Sequence, residues 1–158
     1  MEQKLDIAIR EGRAFTMTTD LVSVGVNTEY PFVLLRNPSG TGHYSETTKF
    51  KWGIDSNSVR TVVRIYKNPT ITTVGTSVTI ANTLFASDAP SSYMLAYKSP
   101  TISDKGTLVQ TGITPANSSS TGLNRYYYIE PGQDVLVTVE NSSSNVSTIM
   151  DVCWMEKV

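Results

Sequence analysis

One thiol, Cys153, and one imidazole, His43, are the sole pair in this 158-residue sequence that could act as thiol nucleophile and histidine base. A thiol attacks as its thiolate and needs a base or cation beside it. Cys153 alternates with Val152 and Trp154 in a strand-like pattern near the chain end. A small buried hydrophobe is the ordinary role for a cysteine there. His43 closes the turn-like run Gly40-Thr41-Gly42-His43. A serine triad meets the same shortage of histidine. Asp88, Asp104 and Asp134 all stand beside predicted turns, where Asp bonds the local backbone. No D-x-D-x-D run supplies a calcium ligand set. A single cysteine excludes an internal disulfide. The expectation is a protein that is not an enzyme and uses no cofactor or metal.

Recognition chemistry is the alternative to catalysis. Tyr126-Tyr127-Tyr128, with Trp52 and Trp154, could stack on sugars. In a strand, though, Tyr126 and Tyr128 face one way and Tyr127 the other, so the three make no single platform. Packing is the ordinary fate of such side chains. Asn117-Ser118-Ser119, Asn141-Ser142-Ser143 and Asn145-Val146-Ser147 match the glycosylation acceptor. The first residues lack the apolar segment of a secretory signal, which gives those matches little weight and suggests synthesis in the cytoplasm. A net charge of -1 with scattered Lys and Arg leaves no footprint for nucleic acid or for an anionic membrane surface. No stretch reaches transmembrane length.

The elements that would carry such groups are strands. Charged residues are 17% of the chain, against roughly 25% in an average domain. Ser and Thr take up the difference, and Thr suits a pleated, half-buried surface. A 13-residue unit occurs twice, as residues 66–78 (Tyr66-Lys67-Asn68-Pro69-Thr70-Ile71, then Gly75-Thr76) and 97–109 (Tyr97-Lys98-Ser99-Pro100-Thr101-Ile102, then Gly106-Thr107). Each copy reads as a strand end, a Pro turn, a Gly and a new strand. Further strands are predicted at 14–19, 21–24, 30–36, 49–55, 59–66, 77–84, 93–97, 108–113, 125–129, 135–139 and 148–155. Tyr30–Arg36 is apolar enough for burial on both faces. Phe50, Trp52 and Ile54 share one face of their strand, and Val63 and Ile65 share one face of theirs. Turn signals at this spacing predict an all-β, antiparallel two-sheet jelly-roll sandwich over residues 13–158. The immunoglobulin-like alternative would show a Cys…Trp…Cys core, which is absent.

Residues 1–12 stand apart as an N-terminal arm. Leu5, Ile7 and Ile9 alternate like a strand, while Leu5, Ala8 and Ile9 also fit a short helical face. The apolar Leu5, Ile7 and Ile9, with Arg10 behind them, are the candidate interface with another subunit, through strand addition to a neighbour's sheet edge.

Phe32 to Gly40, the two repeated units, and Tyr128-Ile129-Glu130-Pro131-Gly132-Gln133-Asp134 form an ordered motif set. In style and motif, over roughly residues 14–156, it resembles small β-rich virion proteins of tailed bacteriophages. The resemblance implies a head decoration, or cement, protein: a homotrimer on the outer capsid surface that braces the major capsid protein. It brings no catalytic residues with it. Two rivals stand beside it, a tail-associated receptor-binding protein and a glycan-binding module. The first predicts an aromatic cluster beside variable loops, at Tyr93, Tyr127 or the 115–122 loop; the second, a module detached from an enzyme, predicts a linker at one end, for which the sequence gives no sign.

Overall fold

The computed structural model describes residues 2–56, 59–117, 120–143 and 145–157. Ser118 and Ser119, within the expected polar loop, and Ser144, in the expected hairpin tip at 141–145, lie outside the described residues. The described chain runs α1 (Glu2–Arg10), β1 (Ala14–Thr18), β2 (Val22–Val24), β3 (Tyr30–Arg36), β4 (Tyr44–Ile54), β5 (Thr61–Lys67), β6 (Thr70–Thr73), β7 (Thr76–Ser77), β8 (Ile80–Asn82), β9 (Leu95–Lys98), β10 (Thr101–Asp104), β11 (Thr107–Thr114), β12 (Ser120–Leu123), β13 (Tyr128–Ile129), β14 (Asp134–Asn141) and β15 (Val146–Lys157).

The sheet order identifies the topology directly. One sheet has the core β12-β4-β15-β1 and the other β11-β5-β14-β3, all antiparallel. Taken in chain order, successive long strands cross from one sheet to the other, except for β5 and β11, which pair within one sheet, and the chain folds back on itself as nested Greek keys. That is a jelly roll. The first and last strands are neighbours, with Ala14 opposite Met155 and Thr18 opposite Asp151.

Alternation along the strands builds the core. Phe15 and Met17 from β1, Phe50 and Trp52 from β4, and Met150, Val152 and Trp154 from β15 meet Val33, Leu35, Val63, Ile65, Val135, Val137 and Val139 across the gap. Both expected faces of the sequence appear, with Val63 and Ile65 inward and Arg64 and Tyr66 on the opposite side. Tyr30–Arg36 is buried on both faces at its centre, as its run of apolar residues predicts: Leu34 is as fully buried as Val33. Leu34 pairs with Leu136, and Leu136 with Tyr66, forming a second buried row on the outer side of the sheet.

The repeat has a structural meaning that spacing alone did not reveal. The two copies complete each other. Thr76, after the first copy's Gly, pairs with Lys98, before the second copy's Pro. Thr107, after the second Gly, pairs with Lys67, before the first Pro. Between them β6 and β10 pair antiparallel as a separate two-stranded ribbon. The backbone repeats as well: Asn68 and Ser99 both have φ 54°, and Gly75 and Gly106 have φ 87° and 82°. A side chain at Gly75 would collide with the Lys98 carbonyl, and one at Gly106 with the Lys67 carbonyl. Only glycine combines that φ with such close backbone approach. The result is a clasp with a local pseudo-two-fold, inserted between β5 and β11. The same insertion adds β8 beside β1, and β9 and β7 beside β3.

The N-terminal segment is a helix, where the alternation of Leu5, Ile7 and Ile9 suggested a strand. With no sheet edge beside it, a helix satisfies its own backbone groups and a lone strand does not. Arg10 sits in the last turn, suited to the negative end of the helix dipole, and pairs with Asp6 at 3.0 Å. Gly12, at φ 68°, ends the helix in a Schellman cap: its N–H donates to the Ile9 carbonyl (3.0 Å) and the Arg13 N–H to that of Ala8 (2.8 Å).

Candidate interaction surface

The helix is held by its smallest residue. Ala8 is 2% exposed and packs with Ala14 and Met155 on the outer side of the β1–β15 pair. Its C-cap is fixed from the other side: Asn82 Nδ2 donates to the Gly12 carbonyl at 2.7 Å, and a Cβ on Gly12 would stand 2.7 Å from Pro90 Cδ. Of the four residues expected at an interface, Leu5 and Ile7 are exposed, at 36% and 50%. Ile9 is half-buried against the Ala8 cluster, and Arg10 is exposed. The structure keeps these side chains on one short helix but not on one stripe.

A groove of about 300 Å³ runs beside the helix, lined by Leu5, Ile9, Phe15, Lys49, Tyr126 and Cys153 among others. On the opposite flank lies a shallower one of about 170 Å³, with Ile7, Met155 and Lys157. Lys157 bonds Glu46, which raises the pKa of the ammonium, and lies 4.7 Å from the centre of the Tyr128 ring.

The loop between β8 and β9 borders the larger groove through Thr83. It carries Phe85, which is 102% exposed. The loop itself is firmly placed. Thr83 Oγ1 donates to the Ala14 carbonyl at 2.9 Å, and the backbone closes turns from Ala86 to Leu84 and from Ala89 to Ala86. Its far end is nailed down by Glu156, a buried carboxylate that accepts the N–H groups of Tyr93 (3.0 Å) and Met94 (3.3 Å), the Ser92 hydroxyl and the Trp154 indole N–H (3.3 Å). Neither Phe85 nor Glu156 is picked out by sequence reasoning. For Phe85 a signal exists: an aromatic immediately before Ala86-Ser87-Asp88-Ala89-Pro90, a turn-forming run with no alternation to bury it.

The residues weighed for catalysis are dispersed. Cys153 is half-buried on the outer face of β15, opposite Val152 and Trp154, and its polar neighbour is the Thr16 hydroxyl at 3.5 Å. The expectation of a cysteine packed inside the core is corrected by one position of strand alternation. His43 stacks on Tyr93, with ring centres 3.8 Å apart, and its buried Nδ1 has no hydrogen-bond partner among the described residues. Asp134 binds Arg36 through two hydrogen bonds of 2.9 and 2.7 Å, and Asp104 caps the Gly106 N–H at 2.6 Å. Among the described residues no group of three or more His, Cys, Asp or Glu is placed to hold a metal.

The aromatic candidates also separate. Trp52 and Trp154 are buried, with Trp52 donating to Thr114 Oγ1 at 2.7 Å, so neither indole has a free face. Tyr127 turns inward against Phe50, while Tyr126 and Tyr128 are exposed. Of the glycosylation matches, Asn141 is fully buried and donates to the Val24 carbonyl (3.3 Å) while accepting from Thr61 (2.8 Å).

A group of ionisable side chains joins β5, β14 and the segment before β3 to Lys105 of the clasp. Glu29 accepts hydrogen bonds from Tyr66 (2.6 Å), Thr138 (2.7 Å) and Lys105, and Arg64 pairs with Glu140 at 2.6 Å. Burial pushes the Glu29 carboxyl up, but the bonds from Lys105, Tyr66 and Thr138 outweigh it and its pKa is lowered. Burial and the bond to Glu29 push the Tyr66 phenol up to about 12.

Among the described residues no helix is long and apolar enough to cross a membrane. No family model and no curated protein matches the chain. Among solved structures, it is similar to a chain of an acid-stable capsid of Helicobacter pylori bacteriophage KHP30, at 15% identity and a TM-score of 0.43, over 92% of this chain and 94% of that one. It is also similar to the Eiger TNF of S. frugiperda (8% identity, TM-score 0.34, 92% of each chain). A chain of the cowpea mosaic virus top component, a naturally occurring empty particle, gives 6% identity and a TM-score of 0.35, over 92% of this chain and 84% of that one. Likeness at this level adds nothing to the jelly roll already given by the strand order.

Proposed function

We propose that this chain is a non-enzymatic structural protein of a phage virion: a decoration protein, made in the host cytoplasm, that seats as a trimer on the outer surface of the capsid and braces the major capsid protein. The reading rests on the motif set of residues 32–40, 66–78, 97–109 and 128–134 together with the jelly-roll strand order. The observation that carries it is a division of labour. The partly buried ionisable groups named above are spent on internal bonds, whereas apolar Leu5, Ile7 and Phe85 are left exposed on the helix and the loop beside its C-cap. Exposed apolar side chains of this kind supply area that a partner can bury. Repeated over a shell, weak contacts add up through avidity.

The test is co-sedimentation with tailed-phage heads stripped of their surface proteins, with light scattering of the free protein. Binding that raises the heat resistance of the heads, and falls when residues 1–12 are removed, supports the reading. Heads that neither bind the protein nor gain stability overturn it. Selective capture on a glycan array, with no binding to heads, would transfer the assignment to the receptor-binding rival.

A further inference from the structure

We propose that the groove beside α1 is a self-association site, filled by Phe85 of a second copy of this chain. The proposal does not depend on whether the protein decorates a capsid.

Three observations converge on it. First, Phe85 cannot serve its own fold, because it is fully exposed while the loop carrying it is held by defined hydrogen bonds to Ala14 and Gly12. A presented aromatic on an ordered loop loses little freedom on binding, and such residues dominate interface energetics. Second, the groove has room. A cavity of roughly 150 Å³ accepts a benzene ring, and this groove is about 300 Å³ and largely apolar, with Leu5, Ile9, Ala14 and Tyr126 in its walls. Third, the charges match. Asp88, three residues beyond Phe85, and Lys49, in the groove wall, both lack an ion-pair partner among the described residues. A Phe85 entering a second copy's groove brings Asp88 toward that copy's Lys49.

Donor and acceptor border each other, since Thr83 lines the groove and Phe85 follows two residues later. An axis passing between them lets each copy both give and receive, so the contact closes into a small ring. An aromatic buries about 150–250 Å². The flanking helix, with Leu5, supplies further area toward the roughly 800 Å² per partner of a stable interface.

Cys153 is the sole thiol and lies in the groove, so it reports occupancy. The full chain is examined by sedimentation over a range of concentrations, with the rate of maleimide labelling of Cys153 in parallel. Association, with labelling that slows as concentration rises, is expected. Phe85→Ser should weaken association by more than about tenfold and restore fast labelling, with an unchanged melting curve as the check on folding. Asp88→Lys should weaken association, and the double variant Asp88→Lys, Lys49→Asp should recover it. A monomer at all concentrations overturns the proposal. So does association that is indifferent to Phe85→Ser or to the charge exchange.

Discussion

The clasp and the helix face are the two regions the sequence marks as unusual, and they end in opposite conditions. In the clasp each repeated copy supplies the strand the other lacks, and its Lys105 pairs with Glu29, beside which Arg64 of β5 pairs with Glu140 of β14. On the helix face one alanine is buried and the larger apolar side chains Leu5 and Ile7 are exposed. A region whose needs are met within the chain is there for stability. A region whose needs are unmet is where another molecule is to be sought.

That contrast can be broken experimentally, and the largest effect belongs to the clasp. Gly75→Ala and Gly106→Ala should each cost about 3 kcal/mol, from strained backbone and carbonyl collision. Near-equal losses in urea unfolding would express the local symmetry. A loss at one glycine alone would show that the two halves are not equivalent in energy. Next comes Glu29→Gln, which strips the charge from a largely buried acceptor and should cost about 2 kcal/mol. Because the folded pKa of Glu29 is lowered, its stabilisation is present above the unfolded value of about 4.3 and is lost as pH falls through the folded one. The variant should flatten the acid side of the stability profile.

Tyr66 acts at the other extreme. Its folded pKa is raised to about 12, so its contribution is complete below about 10 and is lost as pH climbs toward 12. Tyr66→Phe should remove that alkaline loss, measured by denaturant unfolding between pH 9 and 12. The smallest effect is expected on the helix face. Ile7→Ser should change stability by no more than about 0.5 kcal/mol. A larger loss would mean that this face is part of the fold, and would erase the contrast.

What was legible in the sequence is what local chemistry decides. Pro69 and Pro100 end strands, Gly75 and Gly106 begin new ones, and the alternation at Phe50, Trp52 and Ile54 gives the correct inward face. The pairing of one copy with the other was not legible, because a turn motif states where a strand stops and not what lies beside it. Alternation of three residues over so short an N-terminal segment could not separate strand from helix, and the residue that docks the helix, Ala8, is too small to stand out. The expected interface residues Leu5 and Ile7 are exposed, whereas Phe85 is invisible to a reading that looks for periodicity. Glu156 escapes for a related reason: its partners, Ser92, Tyr93 and Met94, are brought to it only by the fold.

The adjacency of β1 and β15 sets a timetable for synthesis. Ala14 finds its strand partner only when Met155 has been made. At about 5–20 residues per second, translation separates the two by on the order of ten seconds. During that interval Phe15 and Met17 have no β15 beside them. The sheet is therefore completed after most of the chain has left the ribosome, and non-local pairing of this kind folds slowly. A nascent chain in that state holds Phe15 and Met17 open, the kind of transient apolar exposure that makes folding intermediates prone to aggregate.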